Sequence, residues 1–98
     1  MFDYDKMDMK LREFLLMMLD DLSDIDRYRL HFVLGKEIPR RFRESSNIEN
    51  TIRIFEHLID REKIFSTLID ALIACGKLYW SKKLKGKRLF SKKHSFAL

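Results

Sequence analysis

From Lys10 onward the apolar positions recur at helical spacing. Leu11, Leu15, Met18 and Leu22 fall at i, i+4, i+7 and i+11, with Phe14 and Leu19 widening the stripe, and this predicts a first amphipathic helix. Ser23 is a good N-cap for a second helix, with Asp24 and Asp26 in its first turn, where the helix dipole favours acids. That helix runs to about Leu34, and Gly35 suits its C-terminal cap. It has two apolar stripes. Leu30, Val33 and Leu34 are assigned to the core; Ile25, Tyr28 and Phe32 form a second line at i, i+3 and i+7. A short helix on the outside of a small bundle seldom needs two apolar faces. The second line is therefore either an exposed contact surface or a face that neighbouring helices wrap.

Pro39 is suited to start a short helix over Arg40, Arg41, Phe42 and Arg43. Ser45, Ser46 and Asn47 make a loop with a cap. Ile48, Ile52, Phe55 and Ile59 then repeat at i, i+4, i+7 and i+11, with Ile54 and Leu58 alongside. A further helix covers Ile64 to Cys75, with Phe65, Leu68, Ile69, Leu72 and Ile73 as its apolar face, and Gly76 ends it. A last short helix spans Lys77 to about Lys85. No segment alternates with period two and there is no internal repeat. The expectation is an all-α fold, a compact antiparallel bundle of five or six short helices over residues 10–85, between a flexible N-terminus (1–9) and a basic tail (86–98).

Length and breakers agree with this. The 98 residues suffice for one domain, and 3 Gly with 1 Pro leave little material for the tight turns of a β-sandwich. Charge changes the picture more. Residues 1–70 hold 12 Lys/Arg and 15 Asp/Glu, a net of −3; residues 71–98 hold 8 Lys/Arg and no acid, a net of +8. The basic character belongs to the end of the chain. The acidic start (Asp3, Asp5, Asp8) is unlike a signal peptide, and the early apolar run Phe14 to Leu19 is far shorter than the ~20 residues that span a bilayer. A soluble, cytoplasmic protein is the simplest expectation.

Candidate chemistry is sparse. Cys75 is the one cysteine, which excludes an internal disulfide and a CxxC metal site. His31, His57 and His94 are scattered, the three glycines stand apart, and acid pairs such as Asp20-Asp21 sit at helix ends. No nucleophile with a base, no carboxylate pair in a cleft and no phosphate-binding loop is legible. The reading is a protein that is not an enzyme and needs no cofactor or metal.

The stretch Leu30-His31-Phe32-Val33-Leu34-Gly35-Lys36-Glu37-Ile38-Pro39-Arg40-Arg41 resembles the second-to-third helix region of death effector domains: an aromatic-leucine pair, a charged turn, then a segment rich in Pro and Arg. Leu22-Ser23-Asp24-Ile25-Asp26 is similar to the start of that family's second helix, Ile52 to Lys63 to its fourth, and Leu68 to Ile73 to its fifth. The resemblance spans about residues 10–85 and rests mainly on 22–41. It implies the six-helix antiparallel bundle of the death-fold superfamily and homotypic assembly in apoptosis or its regulation, with adaptor or initiator-caspase domains of the same type as partners and self-association besides. It places the docking pair at Phe32 and Val33; Phe32 also belongs to the second line with Ile25 and Tyr28, and these with Asp26, Arg40, Arg41 and Lys77 are the candidate partner-binding residues.

This chain departs from the family at two points. The family links an acid on the second helix to an Arg-x-Asp-Leu motif before the sixth; here Asp26 stands for the acid and Lys77 for the Arg, but Tyr79 and Trp80 occupy the Asp and Leu positions. The polar loop between the fourth and fifth helices is almost absent, since Arg61-Glu62-Lys63-Ile64 runs straight into Phe65. A connection this short allows the two helices to fuse, which would favour exchange with another chain. The competing functions are nucleic-acid binding by Arg40, Arg41, Arg43 and the tail, and attachment of the tail to an anionic membrane, with Trp80, Phe90 and Phe96 as interfacial anchors.

Overall fold

The computed structural model describes residues 4–96, with side chains described for residues 9–87. Six α-helices follow in order: α1 (Tyr4–Asp21), α2 (Asp24–Leu34), α3 (Arg40–Arg43), α4 (Ile48–Asp60), α5 (Ile64–Ala74) and α6 (Leu78–Phe96), with one 3-10 turn, Gly35–Glu37, between α2 and α3. No strand occurs among the described residues. The radius of gyration is 13.3 Å, about that of a single folded domain of this length.

α5 sits at the centre because it is the helix with the least charge, Asp70 alone. It packs against α2, α4 and α6, while α3 rests on α4 and α1 on α6. Ile64, Leu68, Ile69, Ala71 and Leu72 are all buried, and they meet Phe14, Leu15, Met18, Leu19 and Leu22 of α1, Leu30 and Leu34 of α2, Phe42 of α3, Ile54, Phe55 and Leu58 of α4, and Leu84 of α6 in one core. The α1 stripe read from spacing is the face that is buried.

Local signals set the helix ends. Ser23 accepts from the Asp26 N–H while Asp26 accepts from the Ser23 N–H, a complete capping box. Asn47 caps α4 by accepting from the Asn50 N–H. Gly35, at φ 45°, closes α2.

α4 and α5 are not fused. The Lys63 N–H donates to the Leu58 carbonyl (2.8 Å) and the Glu62 N–H to that of Ile59 (3.0 Å), with Glu62 in the left-handed region at φ 58°. This is a Schellman turn, and it reverses the chain within three residues. The same pair of bonds closes α5, from Lys77 to Leu72 and from Gly76 to Ile73, here with Gly76 at φ 77°.

Four expectations need correction. On α4, Ile48 is exposed and Ile52 lies at the surface, while Thr51, Ile54, Phe55 and Leu58 face inward; the buried stripe is turned from the one the spacing suggested because α3 and α5 both pack on this helix. On α5, Ile73 is exposed and Ala71 takes its place. Val33 is not a core residue: it is 42% exposed, and His31 turns inward instead. The chain ends are also more regular than expected. α1 begins at Tyr4, and α6 continues through Gly86 to Phe96. Neither stretch contains proline, the strongest helix breaker, and the one glycine, Gly86, costs only roughly 1 kcal/mol.

Candidate protein-docking surface

α2 exposes the apolar line that its spacing left open. Ile25 is 67% exposed, Tyr28 66% and Phe32 80%. The three lie at i, i+3 and i+7 and therefore on one face. They are held outward by what the opposite face does. Leu30 and Leu34 enter the core, and two buried polar groups lock the helix rotation.

The first is Arg27. Its Nε donates to the Ser46 carbonyl (2.9 Å), Nη1 approaches the Leu22 carbonyl at 3.3 Å, and Nη2 pairs with Asp24. This staples α2 to the loop before α4. The second is His31, whose Nε2 meets Thr51 Oγ1 at 2.9 Å. The Thr51 hydroxyl donates to the Asn47 carbonyl (3.0 Å), so the imidazole Nε2–H is the donor to Thr51. His31 Nδ1 has no partner in hydrogen-bonding geometry among the described residues. Burial lowers the His31 pKa and the Arg27 charge adds to this, while the Phe42 backbone works the other way. The neutral ring is the form that fits.

Phe32 and Val33 do not share one surface. Phe32 and Tyr28 wall a hollow of about 540 Å³, with Lys36, Arg43 and Glu44 at its rim and His31 at its floor. Val33 lines a different hollow, of about 340 Å³, against Glu37, Ser66, Thr67 and Asp70. The pair that the resemblance joins is thus split across two sides of α2.

Asp26 and Lys77 come together. The Lys77 ammonium donates to Asp26 Oδ2 at 2.8 Å. This ties the first turn of α2 to the turn between α5 and α6. The Lys77 hydrogen bond is the main cause that holds the Asp26 carboxyl below its usual range, with the Ser23 N–H next. Tyr79 is 62% exposed; Trp80 is half-buried, edge-on to Phe14 at 5.7 Å, with Nε1 donating to Asp21 (2.7 Å). Trp80 is a clasp between α6 and α1 rather than a free interfacial anchor.

The three arginines of α3 do not form an uninterrupted basic face. Arg40 and Arg43 border a shallow hollow with Glu44 between them in the lining. The Arg41 guanidinium lies over the Phe42 ring, 5.0 Å from its centroid.

One feature went unread in the sequence. A groove of about 300 Å³ runs between α1 and α4, lined by Leu15, Leu16, Ile52, Phe55 and Ile59, with the Arg12–Glu56 ion pair (2.9 Å) at its edge. Its signal was present in Leu16 and Ile52, which are apolar and lie outside the buried faces of their helices. Among the described residues no group of three His, Cys, Asp or Glu side chains comes together, and no helix is long and apolar enough to cross a membrane. Compared with known proteins, the chain matches no family model, no curated protein and no solved structure.

Proposed function

We propose that this chain is a non-catalytic interaction module of the death effector type, which assembles with other domains of its kind through α2. The observation that carries the reading is the exposed line Ile25, Tyr28, Phe32 on a helix whose other face is closed and hydrogen-bonded. Each large apolar side chain left in water forgoes about 1.5–3 kcal/mol of burial. Aromatic side chains at a rigid, protruding position make good interface anchors.

The Asp26–Lys77 pair supports the same reading. It joins the two residues that stand at the acid and base positions of the family's charge network, although Tyr79 and Trp80 replace its other members. The apolar α1–α4 groove shares no residue with the Phe32 hollow. A contact between unlike patches is head-to-tail and builds a ring or an open filament rather than a two-fold dimer. The partners in this reading are cytoplasmic adaptors and initiator caspases bearing such domains, and further copies of this chain, in the regulation of apoptosis. Nucleic-acid binding by Arg40, Arg41 and Arg43 has less support, because Glu44 lies among them and Arg41 stacks on Phe42.

Light scattering over a range of concentrations, on wild type and on Phe32→Asp, tests the proposal. Concentration-dependent oligomers in wild type and a folded monomer in the variant support it. Folded monomers in both, with no binding to death-effector-type adaptor domains, would refute it.

A further inference from the structure

We propose that the outward face of α6 docks on an anionic lipid surface, with the helix lying parallel to the bilayer. The helix is 19 residues long, so it extends about 28 Å. Trp80, Ser81 and Leu84 turn toward the bundle: Ser81 and Leu84 are buried, and Trp80 is clasped by Phe14 and Asp21. At about 100° per residue these three define an inward arc. The opposite arc begins with Leu78 and Tyr79, both 62% exposed.

Lysines stand within and beside that arc. At about 100° per residue Lys82 falls between Leu78 and Tyr79, with Lys85 and Lys83 at the two edges, whereas Lys87 turns toward α1, its ammonium 5.7 Å from the Phe14 ring centroid. All four are exposed, and no acid lies anywhere in residues 71–98. The Lys83 ammonium lies 5.5 Å from the centroid of the Tyr79 ring. Helix register places the Cα atoms of Leu89, Phe90 and Phe96 on the same side as those of Leu78 and Tyr79, and that of Lys93 beside Lys82.

The chemistry favours lipid over nucleic acid. A nucleic acid attracts the lysines, and an unpaired base can stack on Tyr79, but it offers no apolar phase to Leu78. A bilayer interface accepts both: ammonium groups stay at the headgroup level on long apolar stems, and aliphatic and aromatic side chains enter the acyl boundary. The −3 charge of residues 1–70 opposes a general attraction of the domain to phosphate and leaves α6 as the element that approaches an anionic surface. This surface is separate from the α2 line, so it stands or falls independently of the assembly reading.

The test is co-sedimentation of the full chain with phosphatidylcholine vesicles, with and without roughly one-third phosphatidylserine. Wild type is expected to bind the anionic vesicles and not the neutral ones. Each lysine near such a surface contributes about fivefold to partitioning, so Lys82→Gln/Lys83→Gln/Lys85→Gln should weaken binding about a hundredfold. Gln has nearly the helix propensity of Lys, and circular dichroism checks that α6 persists. Leu78→Ser/Tyr79→Ser should weaken binding at least tenfold while leaving all the charge in place. A wild type that ignores anionic vesicles overturns the proposal whatever the variants do. So does Leu78→Ser/Tyr79→Ser that binds both the vesicles and a duplex oligonucleotide as wild type does, since the surface would then read charge alone.

Discussion

Asp26 and Lys77 close a 2.8 Å ion pair between the first turn of α2 and the end of α5. Asp26 serves twice, because the same carboxylate accepts the Ser23 N–H and completes the cap of α2. One side chain therefore fixes both where α2 starts and how that start is held against the central helix.

Asp26→Ala should lower stability by about 1–2 kcal/mol, since it removes both the Lys77 contact and the bond from the Ser23 N–H. Lys77→Ala should cost less, since it leaves the cap intact. Because the Asp26 carboxyl is held below its ordinary value of 3.8, its contribution is complete above that pH and is lost as pH falls through the lowered value. Urea denaturation across the acid range checks this: the acid loss should be shallower in Asp26→Asn than in wild type.

The two Schellman turns make a controlled pair. Gly76 takes its positive φ without strain, whereas Glu62 does so at φ 58° with a side chain. Glu62→Gly should stabilise the protein by up to about 1 kcal/mol, and Gly76→Ala should destabilise it by about as much. Thermal melting reads both, at roughly 4–8 °C per kcal/mol for a domain of this size. A Glu62→Gly variant that melts lower than wild type would contradict the left-handed turn between α4 and α5.

His31 makes stability depend on pH near neutrality. Its folded pKa lies below the ordinary 6.5, chiefly through burial. The unfolded chain therefore binds the proton first. The stability contribution is complete above about 6.5 and is lost as pH falls from there through the folded value. His57 is shifted the same way by burial, so it must be controlled. Melting between about pH 7 and pH 5 should fall more steeply in wild type and in His57→Gln than in His31→Gln.

Exposure also predicts which apolar residues matter for folding. Phe32 is 80% exposed and Leu68 is fully buried. Phe32→Ala should shift stability by under about 0.5 kcal/mol, as surface changes do, while Leu68→Ala should cost about 2–5 kcal/mol. Guanidinium denaturation of the monomer settles the comparison; a large loss in Phe32→Ala would mean that the α2 line is core.

Much of the fold was legible because it depends on neighbours within a turn or two. The α1 stripe, the Ser23 and Asn47 caps, and the glycines that close α2 and α5 are local: a capping hydroxyl or a left-handed glycine acts on atoms three to five residues away. What the sequence by itself determined was thus the class of fold, the helices and most of their ends, together with a surplus of apolar positions on α2.

The tertiary structure decided which of those positions face water. α2 and α4 each carry more apolar residues than one face needs, and period alone does not choose among them. The choice was made by what packed on them: His31 reaching Thr51 and Arg27 reaching Ser46 turned Phe32 outward, and α3 and α5 drew Ile54 and Leu58 of α4 inward, leaving Ile52 to the α1 groove. The Asp26–Lys77 contact and the separation of α4 from α5 by Glu62 were decided at the same level. The physical reason is that burial depends on area removed from water by elements distant in the chain, and only the folded arrangement brings those elements together.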